Sequence, residues 1–188
     1  RVQASAASAA LRRAADAARQ AGIPALLAEV DHACRALSAP AARRVGQGGS
    51  QDLTLGEVEA LLASRALIVD ACRNALRREG QTAPLASRPV LFTLARLLAE
   101  AWPQDVSREL LIAQAFRTGF QDDSHRVRLR VEIGRLRAAM RPLAGVSATK
   151  HGFVLKPAGA SEVVVLARPV DVAGRDQAAV FACLADGQ

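Results

Sequence analysis

Apolar positions recur at helical spacing through most of the chain, interrupted by a few short β-rich runs. Residues 4–20 form an alanine- and arginine-rich helical pattern with Leu11, Ala14, Ala15 and Ala18 on one side, broken by Gly22 and Pro24. Residues 25–37 predict a second helix through Leu26, Leu27, Val30 and Leu37, and Pro40 ends it or starts a further short turn. Joined by Ala21-Gly22-Ile23-Pro24, the two predict an α-hairpin over 1–45. Gly46, Gly48, Gly49 and Ser50 follow; a phosphate loop needs a strand before such glycines and Lys-Ser/Thr after them, so 46–52 reads as a linker. Leu53 and Leu55 open a short strand that continues as a helix to residue 63.

From residue 66 the pattern changes. Ala66–Asp70 is a short β-rich run; residues 72–78 and 81–85 flank a Glu79-Gly80 turn, which predicts a small hairpin or meander. Ser87 and Pro89 open a strong helix whose apolar face is Val90, Leu91, Leu94, Leu97, Leu98 and Trp102, stopped at Pro103. Ser107 can cap a helix over 108–116 that is expected to bury Leu110, Leu111 and Phe116. Asp122, Asp123 and Ser124 precede a third helix, 125–140, where such groups satisfy free N–H groups and suit the helix dipole.

That third helix has three kinds of surface. At about 100° per residue, Leu129, Ile133, Leu136 and Met140 share one face, which is core. Arg128, Glu132 and Arg135 lie on one flank, and Arg126, Arg130, Arg137 and Arg141 on the other. Between the flanks the outward strip is Val127, Val131, Gly134 and Ala138. Small residues between arginines let a helix sink into a DNA major groove while its flanks reach phosphates; the alternative is a surface helix with solvated arginines. Val146–Thr149 and Phe153–Leu155 then predict a hairpin turned by Lys150-His151-Gly152, with a basic tip. Val163–Leu166 predicts a strand and Asp176–Leu184 a helix.

Charge sharpens this picture. Hydrophobic residues are 51 % of the 188 and charged residues 23 %, compatible with a packed core of one large or two small domains. The net charge is +7, but Ser107–Lys156 carries ten basic and four acidic residues, so +6 of the net +7 lies there. A nearly neutral chain with one basic segment suggests one polyanion-binding surface, or else a solvated arginine-rich face.

Candidate chemistry changes little. Cys34, Cys72 and Cys183 are odd in number and widely spaced, with no CxxC pair, which reads as a reducing compartment without a disulfide framework. His32, His125 and His151 form no metal-ligand spacing. The run Asp122–His125 has no recognisable nucleophile or oxyanion partner nearby, so capping is its expected use. No catalytic residue, metal or cofactor is assigned, and the chain is not expected to be an enzyme. Charges or prolines interrupt every long apolar run, so no membrane partner is expected.

Specific stretches carry a resemblance. Leu91-Phe92-Thr93-Leu94-Ala95-Arg96-Leu97-Leu98, Val106-Ser107-Arg108-Glu109-Leu110-Leu111, Ile133-Gly134-Arg135-Leu136-Arg137 and Gly152-Phe153-Val154-Leu155 follow in order. Together, over residues 66–157, they resemble the DNA-binding domain of bacterial OmpR/PhoB-type transcription regulators, a winged helix-turn-helix. The resemblance implies a helix-rich α+β fold, with a winged helix domain over 53–157 preceded by the α-hairpin. It implies base-edge or phosphate contact by Arg128, Val131, Glu132, Gly134 and Arg135, with Arg126 alongside. Arg108 and Arg137 become phosphate or structural positions. The hairpin tip from Ser147 through Thr149, Lys150 and His151 becomes the wing, entering the minor groove. The chain departs from that family at Arg130, where Asp is usual, and at Thr149-Lys150, where Arg-Gly is usual. No phosphoacceptor receiver is present in these residues.

The α-hairpin resembles the end of a helical-repeat region of tetratricopeptide type, and its small area suggests packing on a partner or on upstream sequence. Residues 158–188 read either as the start of a second, truncated winged helix or as a closing strand and helix packed on the first domain. With Arg at position 1, the chain is read as a piece of a longer regulator. The expectation is a cytoplasmic, nucleoid-associated regulator that binds double-stranded DNA, with a homodimer or a protein docked on the N-terminal helices as further partners. The alternative is a protein–protein interaction module on a winged-helix scaffold. Intramolecular ion pairs at Arg128 and Arg135 would favour the alternative; projection of both beside the hairpin would favour DNA.

Overall fold

The computed structural model describes residues 3–46, 49–117 and 123–169. Helices α1 (Ala4–Ala21) and α2 (Pro24–Ser38) form the expected α-hairpin. Gly22 at φ +66° ends α1, and its N–H reaches the carbonyls of Ala18 and Arg19, a left-handed cap that suits glycine. Pro24 opens α2, where its missing N–H costs nothing. The hairpin meets the rest of the chain near Ala4, which is buried, and Ser5, whose N–H donates to Glu59 Oε2 at 3.0 Å.

The next segment differs from expectation. Strands β1 (Pro40–Gly46) and β2 (Gly49–Thr54) pair antiparallel, where the end of a helical unit followed by a linker was expected. Gly46 ends β1, and Gly49, at φ +100°, begins β2 in a conformation that suits glycine. Leu53 is the last apolar residue of β2, while Leu55 already begins α3 (Leu55–Ala63). Thr54 decides that boundary. Its hydroxyl accepts from the Glu57 N–H at 3.4 Å, and the Glu57 carboxylate accepts from the Thr54 N–H at 2.7 Å, a reciprocal capping box.

Glu57 is therefore held below its ordinary value of 4.5, first by the Thr54 backbone N–H and then by the Thr54 hydroxyl. A depressed carboxylate stabilises the fold above its unfolded value, and that contribution fades as pH falls through the folded value. Thr54→Ala is expected to cost about 1 kcal/mol near neutral pH. In melts from about pH 6 down to about pH 3, the stability gap between the native chain and Glu57→Gln should narrow.

Strands β3 (Leu67–Asp70), β4 (Ala75–Arg78) and β5 (Gln81–Pro84) form the expected meander. Asp70, the buried charged residue of the described core, ends β3. Its Oδ1 accepts from the N–H groups of Cys72 and Arg73 at 3.0 and 3.1 Å, and Arg73 and Arg77 stand 3.6 and 3.7 Å from Oδ2. Burial, then Asp70, push the Cys72 thiol up against the opposing pull of Arg168 and Arg73. A thiol so held is a poor nucleophile at neutral pH.

Helices α4 (Pro89–Glu100), α5 (Arg108–Phe116) and α6 (Asp123–Met140) follow, with the two-residue strand β6 (Val106–Ser107) before α5. Ser107 caps α5 by accepting from the Leu110 N–H at 3.1 Å. Leu111 and Ile112 face the core, whereas Leu110, expected inside, is 47 % exposed. One residue of rotation separates them, and that is enough to cross the edge of a helix face. Strands β7 (Ala144–Ala148) and β8 (Gly152–Pro157) form the second hairpin, and β8 also pairs with β6.

Strand β9 (Val163–Ala167) corrects the reading of the tail as a new domain. It lies between β1 and β3 in a six-stranded sheet ordered β2-β1-β9-β3-β4-β5, antiparallel to β1 and parallel to β3. No domain boundary falls at residue 158, because the sheet is completed from both sides of the helical segment. The helix expected over Asp176–Leu184 lies outside the described residues, as do Gly48, Asp122 and Cys183.

The sheet is covered on both faces, which explains its unbroken apolar runs. Leu67, Val69, Leu76 and Val165 join the main core with Leu94 and Leu98 of α4, Leu111 of α5 and Ile133 and Leu136 of α6. The alternate residues, Ile68, Val164 and Leu166, join Ala42, Leu53 and Val58 in a smaller core under α3. The result is a mixed α+β fold in which α6 and the β7–β8 hairpin are anchored to one body.

Candidate nucleic-acid interface

The wheel drawn for α6 matches its burial. Leu129, Ile133, Leu136 and Met140 are each at most 1 % exposed. On the opposite side Val127 and Val131 are 58 % and 48 % exposed, although apolar β-branched residues gain nothing from water or from helix. A Cβ built on Gly134 would meet nothing within 4 Å. The chain's own packing therefore does not require glycine there, while glycine costs about 1 kcal/mol relative to alanine inside a helix. A strip kept low and apolar, with no partner among the described residues, suits contact with something outside the molecule.

The arginines around this strip are held in different ways. The Arg128 guanidinium stacks on the Phe116 ring, 4.4 Å from its centroid. Stacking holds the flat fork with its edge N–H groups still able to bind. Arg135 NH1 is 2.8 Å from Glu132 Oε1, one turn away, with the Arg135 side chain 64 % exposed and Glu132 only 13 %. Arg126 is 3.5 Å from Asp123. Arg130 and Arg141 are exposed. Of the two arginines that distinguish the readings, Arg135 thus lies in an intramolecular ion pair and Arg128 in a ring stack.

Arg108 and Arg137 point inward instead. Arg137 Nε donates to the Val146 carbonyl at 2.7 Å, tying α6 to β7. Arg108 donates to the carbonyls of Thr149 and Lys150 at 2.9 and 3.1 Å and lies 5.5 Å from the Phe153 ring centroid. Lys150 and His151 are exposed at the turn, and Thr149 is half-buried beneath them.

A groove of about 400 Å³ runs beside α6, lined by Arg88, Pro89, Val90 and Leu91 at the start of α4 and by Glu132 and Arg135. Arg88, Phe116 and Asp105 belong to this surface or support it, yet the sequence marked Phe116 only as a core residue and Arg88 and Asp105 not at all. Each lies in a loop or at a helix end, where no periodic signal marks a partner. Among the described residues no group of three or more His, Cys, Asp or Glu side chains could hold a metal ion, and no helix is long and apolar enough to cross a membrane. Compared with known proteins, the chain matches no family model and no curated relative.

Proposed function

We propose that this chain is a DNA-binding transcription regulator of winged helix-turn-helix type. In this reading α6 enters the major groove and the β7–β8 turn meets the adjacent minor groove. The observation that carries it is the outer surface of α6: Val127, Val131 and Gly134 uncovered, with exposed arginines on both sides. Phosphate contacts supply affinity and position, and contacts to base edges supply sequence preference. The protein performs no chemistry in this role.

Fluorescence anisotropy on fragmented duplex DNA from about 50 to 200 mM salt tests it, with sequencing of the retained fraction. About six phosphate contacts give a log–log slope near −5. That slope with an enriched motif is the expected result; binding without a motif would limit the role to non-specific attachment. Arg135→Ala should weaken binding to the enriched duplex by about 1–3 kcal/mol, and unrelated duplexes much less. An equal loss on every duplex would make Arg135 a phosphate contact.

The Arg135–Glu132 pair favours a second reading, a protein-interaction module on the same scaffold, since a paired arginine is less available to DNA. No binding at the low-salt end would favour it.

A further inference from the structure

The hairpin turn is held both by its own hydrogen bonds and by bonds from Asp105 and Arg108 outside it. Thr149 sits at its centre. Its hydroxyl donates to Asp105 Oδ2 and accepts from the Gly152 N–H at 2.8 Å, using the one proton and a lone pair of the group. Its backbone N–H donates to the Gly152 carbonyl at 2.9 Å. Arg108, at the start of α5, caps the two carbonyls of Thr149 and Lys150. Asp105 and Arg108 flank β6, so the segment between α4 and α5 grips the turn with an acceptor on one side and a cation on the other. Lys150 and His151 are left exposed at the apex.

We propose that Asp105 and Arg108 are positioning residues that hold the Lys150–His151 apex in the orientation used to meet DNA; the purpose, though not the grip, rests on the DNA-binding reading above. Ordering the apex in advance lowers the conformational entropy lost on binding. It also accounts for a carboxylate beside a surface read as polyanion-binding. Asp105 repels phosphate, so its value there lies in the hydrogen bond and not in its charge.

Two variants separate those properties. Asp105→Asn removes the charge and keeps an oxygen that accepts from Thr149; Asp105→Ala removes both. In the full chain without DNA, the ¹⁵N heteronuclear NOE of the Lys150 and His151 amides should fall in Asp105→Ala and stay native in Asp105→Asn. Native values in both would overturn the grip itself. On duplex DNA, Asp105→Asn should bind at least as tightly as the native chain, and Asp105→Ala about threefold to tenfold more weakly than Asp105→Asn, the scale of one lost phosphate contact. Lys150→Ala should weaken the native chain but have no further effect in Asp105→Ala, because the lysine is already misplaced. Additive losses would overturn the positioning role. Absence of DNA binding by the native chain, with the NOE pattern as expected, would overturn the DNA reading and leave the grip standing.

Discussion

Gly152→Ala will detach β6 from β8 and destabilise the fold by about 3 kcal/mol, near the upper end for overpacking. Gly152 pairs with Ser107, and a Cβ there would stand 1.7 Å from the Val106 carbonyl oxygen and 2.6 Å from its carbon. These are backbone atoms, so no side-chain rotation relieves the overlap. Its φ is not in the left-handed range, so the demand is for closeness and not for a turn conformation. For a chain of this size the loss corresponds to a fall in Tm of about 10 °C. The same change should loosen Arg108 and Thr149, which grip the turn across this pairing. A variant that melts with the native chain would show that β6 and β8 are not in contact.

Val165→Asp should abolish cooperative folding. Val165 is fully buried at the centre of β9, between β1 and β3, and its side chain packs in the main core. An unpaired carboxylate there costs more than about 4 kcal/mol, a large part of the stability of an ordinary domain. The outcome also tests the architecture. If residues 163–167 began a separate domain, the change would leave 66–157 folded. In the sheet described here, loss of β9 bares the edges of β1 and β3 and opens both cores at once. Circular dichroism melts and hydrogen exchange of the β3 amides read the difference: protection should vanish throughout β3.

The α6 periodicity was legible because helix burial is written locally, every third or fourth residue. Ser107 and its cap were legible for the same reason. Gly152 reads in sequence as one more turn glycine, and only the approach of a carbonyl far away in the chain shows what it is for. The β1 segment, Pro40–Gly46, has little apolar alternation to signal a strand, because Ala42 alone is fully buried in it. Val163–Ala167 announces a strand plainly, but nothing local names its neighbours.

The arginines divide similarly. The surplus of positive charge between residues 107 and 156 is a property of the sequence. The uses of its arginines are not: Arg137 and Arg108 reach carbonyls, Arg128 a ring, and Arg135 a carboxylate. A guanidinium takes whichever acceptor the fold places within reach, and acceptors on other elements are invisible along the chain.

By itself, then, the sequence determined the helices α1 to α6, the strands β3 to β5 and β7 to β9, the basic segment and the amphipathic face of α6, since each depends on residues within a few positions of one another. The tertiary structure alone decided that β9 completes the first sheet, that Gly152 admits β6, and that Asp105 and Arg108 hold the hairpin turn. Those are contacts between distant segments, and they form only when burial of the shared core brings the segments together.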